Sequence, residues 1–142
     1  MITISEVINT NVISVHQNDL LEKVVKIFEK EKISGMPVVD SENKLVGIIS
    51  DRDLLKYSED LQVIPLNYIW MTAKDFLKTT VKEIMSKDIS VIKKENTLHD
   101  AVVLMQEKGI NRLPVVDNEN ILKGIITRTD LLNYLAVKKI LF

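Results

Sequence analysis

The pattern of apolar and polar positions predicts a short strand, a helix, two more strands and a second helix, in that order. Val12 to Val15 is a β-branched run of strand character. Asn18 and Asp19 then offer N-cap chemistry, and Leu21, Val24, Val25 and Phe28 recur at helical spacing, which predicts a helix with one apolar stripe. Met36-Pro37-Val38-Val39-Asp40 reads as a strand opened by proline. Ser41 to Lys44 is a polar turn, and Leu45 to Ile49 is the returning strand. A helix is expected from Ser50, carrying Leu54 and Leu55.

The same order is written a second time. Residues 33–55 (ISGMPVVDSENKLVGIISDRDLL) align without a gap on residues 110–132 (INRLPVVDNENILKGIITRTDLL), with 14 of 23 positions identical. The register extends backwards, placing Ile4 to Ile8 over Val81 to Met85, and Asn11 to Val15 over Asp88 to Ile92. In the second copy Thr97 is the capping candidate, Leu98, Ala101, Val102 and Met105 form the stripe, and Gly109 is placed to end the helix. A fixed internal period marks duplication of a whole structural unit. One such unit has too little interior to be comfortably stable alone, so the two copies are expected to share a core, sheet against sheet. The domains are expected at 1–56, 57–80 and 81–142: first repeat, connecting segment, and second repeat with a C-terminal helix. The connecting segment contains Pro65 and an amphipathic stretch, Leu66 to Met71, read as a short helix.

Composition removes several function classes. The 19 basic and 20 acidic residues nearly balance, which argues against a generally basic nucleic-acid binder, although Lys93-Lys94 and Lys138-Lys139 are local basic pairs. With no cysteine in the 142-residue chain there is no disulfide, thiolate metal site or cysteine nucleophile. No apolar run approaches the roughly 18–20 residues that span a bilayer. The first residues lack the pattern of a signal peptide, so a soluble, cytoplasmic protein is expected. His16 and His99 each stand apart from any acid–base or metal constellation, and no P-loop or G-x-G-x-x-G occurs. Neither a catalytic set nor a metal-ligand set is expected, and the chain is not read as an enzyme.

The chemistry that does recur is Gly-Ile-Ile-Ser/Thr-x-x-Asp, at Gly47 to Asp53 and again at Gly124 to Asp130. Two readings fit the spacing. Ser50 with Asp53, and Thr127 with Asp130, match the capping box that closes a helix start. The same helix start presents unpaired N–H groups that suit a phosphate, beside a carboxylate able to accept both hydroxyls of a ribose. Arginine usage favours an anion. The only three arginines, Arg52, Arg112 and Arg128, lie in these motifs or just before Leu113-Pro114, and guanidinium forks match phosphate oxygens.

Asp88-Ile89-Ser90-Val91, Thr97-Leu98, Ala101, Met105, Leu113 to Asp117 and Gly124 to Asp130 together resemble the CBS domain, and the first copy carries nearly the same set. It departs at Leu20, Val24 and Phe28, all helix positions. The chain is thus similar to a tandem CBS pair, or Bateman module, of α/β (α+β) class built from two β-α-β-β-α repeats. The resemblance implies two clefts that bind adenosine derivatives such as AMP, ADP, ATP or S-adenosylmethionine as regulatory ligands. It implies a homodimer and a protein target. By the family's pattern one cleft combines Ser50 and Asp53 with Ile89, Ser90, Ile110 and Arg112. The other combines Thr127 and Asp130 with Val12, Ile13, Ile33, Ser34 and Met36, and Arg128 is a further candidate ligand residue. For the aliphatic members simple core packing is the competing reading. For the module as a whole, the competing reading is a dimerisation or interaction platform without a physiological small ligand.

Overall fold

The computed structural model of the chain describes residues 1–61 and 75–141; the expected linker helix, Leu66 to Met71 with Pro65 before it, lies outside the described residues. The chain divides into two compact units, one made of Ile13–Ile89 and the other of Met1–Val12 with Ser90–Phe142. This division cuts across the sequence repeats, because the segment leading into each repeat belongs to the unit of the other.

In the Ile13–Ile89 unit the order is β1 (Val15–His16), α1 (Leu21–Glu31), β2 (Gly35–Val39), β3 (Leu45–Ser50), α2 (Asp51–Leu61) and α3 (Val81–Ile84). β1 runs parallel to β2, and β2 runs antiparallel to β3. Strand β1 is shorter than the β-branched run predicted, and only Val15 and His16 join the ladder. Alternation does the rest: Leu45, Gly47 and Ile49 of β3 are buried while Val46, Ile48 and Ser50 are half-buried. Val15, Leu21, Val24, Met36, Val38, Ile49, Leu54 and Val81 form the core, with Val25 and Phe28 of the predicted stripe packed against it.

In the other unit a single 3-10 turn (Ile4–Glu6) precedes α4 (Leu98–Lys108), β4 (Arg112–Val116), β5 (Leu122–Thr127) and α5 (Arg128–Leu141). β4 and β5 form an antiparallel pair with the register of β2 and β3, including a shift at Val115/Val116 that matches the one at Val38/Val39. The run expected as a strand over Asp88 to Val91 is not one, and only Ile92 makes a bridge, to Val115. Ile4, Ile92, Leu98, Ala101, Met105, Leu113, Val115, Ile126 and Leu131 form this core.

Helix ends follow local chemistry. Thr97 caps α4: its hydroxyl accepts the Asp100 N–H at 3.1 Å, and Asp100 Oδ2 accepts the Thr97 N–H at 2.9 Å. The expected caps of α1 do not form. Leu20 is the N-cap, without a side-chain bond, and Asp19 instead accepts the His16 N–H at 2.9 Å. The orphan N–H of Leu21 is taken by the Thr79 carbonyl at 2.9 Å, as that of Leu98 is by Ile2 at 3.0 Å. Helix α4 ends on Gly109 in the left-handed region as expected, whereas α1 ends there on Lys32. In both hairpin turns an aspartate collects backbone donors. Asp40 accepts from Glu42 and Lys44, and Asp117 from Glu119 and Ile121. The Lys44 N–H chiefly holds the Asp40 carboxyl below its ordinary value, and the Ile121 N–H does so for Asp117.

Candidate functional site

Each duplicated motif is built by a strand running straight into a helix. β3 ends at Ser50 and α2 begins at Asp51; β5 ends at Thr127 and α5 begins at Arg128. The first helical N–H is satisfied by the residue just before the partner strand of the hairpin (β2 or β4), Asp51 bonding the Ser34 carbonyl at 2.8 Å and Arg128 the Asn111 carbonyl at 2.9 Å. Such a turn leaves the hydroxyl and the acid three residues later on one side of the helix start.

Both acids act as caps. Asp53 Oδ2 accepts the Ser50 N–H at 2.9 Å and the Ser50 hydroxyl at 3.1 Å. Asp130 Oδ2 accepts the Thr127 N–H at 2.9 Å, and the Thr127 hydroxyl accepts the Asp130 N–H at 3.1 Å. All four residues are half-buried, so a carboxylate that closes the helix still faces a solvent-accessible surface. The capping reading of the sequence is therefore realised, and it leaves lone pairs on the carboxylates.

The glycine of each motif has a packing reason that spacing did not reveal. The chain crosses β3 at Ile48, where Ser86 exchanges backbone hydrogen bonds of 2.8 and 3.0 Å, and crosses β5 at Ile125, where Asn9 exchanges bonds of 3.1 and 3.3 Å. A Cβ on Gly47 would lie 2.9 Å from the Ser86 carbonyl oxygen, and one on Gly124 would lie 2.7 Å from that of Asn9. This crossing also brings in Ser86, absent from the expected site, whose hydroxyl donates to Asp53 Oδ1 at 3.0 Å. Its only sequence signal was its register over Asn9.

The expected site residues fall in both units. Ile13, Ile33, Ser34, Met36, Ser50, Asp53 and Ile89 belong to one; Val12, Ser90, Ile110, Arg112, Thr127, Arg128 and Asp130 belong to the other. Met36 pairs with Ile49, and its side chain packs in the core, where the residue is 1% exposed. Ile13, Ile33 and Ile110 are partly buried against the cores, as the packing reading has it. Hairpin register sets the residues two before each strand proline beside the motif of their own repeat: Gly35 pairs with Ser50, and Arg112 with Thr127. Directly opposed residues share a face of the sheet, so Arg112 stands on the Thr127 side where the first repeat has only Gly35. The resemblance had grouped Arg112 with the other motif. Arg52 and Arg128 are exposed at the two helix starts. Among the described residues no cluster of three or more His, Asp or Glu would hold a metal ion.

This is the geometry of one family. The CBS domain model matches residues 4–60 and again 81–137, so the chain belongs to the CBS domain family as a tandem pair. It is 38% identical to the uncharacterized protein MJ1426 of Methanocaldococcus jannaschii, over 93% of this chain and 90% of the relative. It is 40% identical to an inosine-5'-monophosphate dehydrogenase of the same organism over 89% of this chain, which amounts to only 22% of that enzyme. Among solved structures it is similar to CBSX2 in complex with AMP, at 28% identity and a TM-score of 0.81, covering 98% of this chain and 99% of that one. It is also similar to the CBS domain pair of MJ0100 in complex with 5'-methylthioadenosine and S-adenosyl-L-methionine, at 25% identity and a TM-score of 0.75, covering 96% and 97%.

Proposed function

We propose that the chain is a regulatory module that senses adenosine-containing nucleotides (AMP, ADP, ATP or S-adenosylmethionine) at the two strand-to-helix motifs. The AMP complex of a relative that this chain matches almost end to end carries the reading, because the duplicated hydroxyl–acid pairs here have the chemistry such a ligand needs. The carboxylates of Asp53 and Asp130 accept the ribose hydroxyls. The N–H groups at the starts of α2 and α5 favour the phosphate or other anionic end. Arg112, Arg52 and Arg128 supply guanidinium groups, and Arg112 favours the Thr127 motif for the charged end. Ile13, Ile33, Ile89 and Ile110, with Val12, supply aliphatic surface for the adenine, and Ser34 and Ser90 supply polar groups beside it. A ligand shifts the module only by its differential affinity for two states, which a protein target then reads.

The module works as a non-enzymatic, homodimeric protein of the cytoplasm in this reading. Leu55, Leu132 and Leu135 are 67%, 59% and 53% exposed on α2 and α5, and they favour a dimer seam along these helices. The same three residues favour the second reading, an interaction platform that needs no small ligand. Calorimetry with AMP, ADP, ATP and S-adenosylmethionine on protein stripped of carried-over ligand separates the two. Saturable heat from at least one supports the sensor, and none from all four leaves the platform.

A further inference from the structure

The two motif acids differ in how much of their hydrogen-bonding capacity is already used. A carboxylate offers about four acceptor positions, and the two hydroxyls of a ribose need two of them. Asp53 accepts three donors: the Ser50 N–H at 2.9 Å, the Ser50 hydroxyl at 3.1 Å and the Ser86 hydroxyl at 3.0 Å. Asp130 accepts one among the described residues, the Thr127 N–H at 2.9 Å, because the Thr127 hydroxyl turns to the Asp130 N–H instead. About one position is left on Asp53 and about three on Asp130.

One of the two extra donors on Asp53 is the Ser50 hydroxyl, and the other traces to an exchanged pair of residues. Ser86 and Asn9 occupy matching places, each locked by two backbone hydrogen bonds to the strand it crosses. The short Ser86 side chain reaches the acid, whereas Asn9 folds back, its Oδ1 accepting the Asn11 N–H at 3.0 Å.

We propose that Ser86 is a specificity-determining residue that competes with the ligand's ribose for Asp53, making the Asp130 seat the tighter of the two. This rests on the nucleotide-sensing reading above. AMP calorimetry on the full chain tests it, with Asp130→Asn isolating the Asp53 seat and Asp53→Asn isolating the Asp130 seat. The Asp130 seat binds AMP more tightly. Ser86→Ala in the Asp130→Asn background tightens binding about three- to tenfold, the worth of one competing hydrogen bond. Asn9→Ser in the Asp53→Asn background weakens it by a similar factor, since it gives Asp130 the same competitor. Ser86 and Asn9 are both exposed, so these variants keep the cores intact. AMP binding that Ser86→Ala leaves unchanged or weakens overturns the competition alone, and weakening identifies Ser86 as an orienter of Asp53. Absence of AMP, ADP, ATP and S-adenosylmethionine binding to the unaltered chain overturns the sensing reading itself.

Discussion

Single residues of the two copies serve as controls for each other. Lys32 ends α1 at φ 56° where Gly109 ends α4 at φ 62°. The left-handed region costs a side chain about 1–2 kcal/mol that glycine avoids. Lys32→Gly is therefore expected to raise stability by about 0.5–1 kcal/mol in denaturant melts, the rest being offset by unfolded-chain entropy. Leu20 stands where Thr97 caps its helix, and a threonine there is expected to add about 1 kcal/mol. Acid behaviour is shaped by Asp40, Asp100 and Asp117, whose carboxyls lie below the ordinary 3.8 chiefly because backbone N–H groups bind the ionised form. The folded state takes up these protons less readily than the unfolded chain. Their contribution is thus complete above the unfolded value and is lost as pH falls through the lower folded ones. A double variant, Asp40→Asn with Asp117→Asn, is expected to lose less stability than the unaltered chain as pH falls below 3.8, read from urea melts.

At the scale of elements, the hairpins and the helices that follow them were legible because two strong periodic signals and the repeat itself agreed. The first strand of each copy was less so. The residues from Val12 to Ser14 and from Ile89 to Val91 signal strand character, yet in these runs only the residues that follow, Val15 and Ile92, find a strand partner, and the chain changes unit within each run. The motif glycines were read from the sequence as signature positions, but their cause is a backbone crossing between residues distant in the chain, which no local pattern encodes. Gly124→Ala is expected to cost about 1–3 kcal/mol, because the new Cβ meets the Asn9 carbonyl oxygen, part of a fixed backbone bridge. Ser86 was invisible for the same reason: its hydrogen bond to Asp53 spans 33 residues. The pairing of hydroxyl and acid at the two helix starts was plain from spacing. That the Met36 side chain packs in the core was not legible, because it follows from strand register, the pairing with Ile49.

For the whole molecule, the exchange of leading segments ties each repeat's stability to the other's sequence. Ile4 is fully buried in the core that holds β4 and β5, while its counterpart Val81 is buried with β2 and β3. Ile4→Ala is expected to cost about 2–5 kcal/mol and to accelerate hydrogen exchange first in β4 and β5, although Ile4 opens the first repeat. Faster exchange confined to β2 and β3 would contradict the exchange of segments. The central claim is that the motif carboxylates seat a nucleotide. Thermal unfolding of the stripped protein with and without AMP, ADP, ATP or S-adenosylmethionine tests it most directly, beside the Asp53→Ala, Asp130→Ala double variant. At about 100 times Kd a one-site ligand adds about 2.7 kcal/mol, so a clear rise in Tm is expected for the unaltered chain and none for the variant. A Tm that no ligand moves, or one that rises equally in the variant, would contradict it.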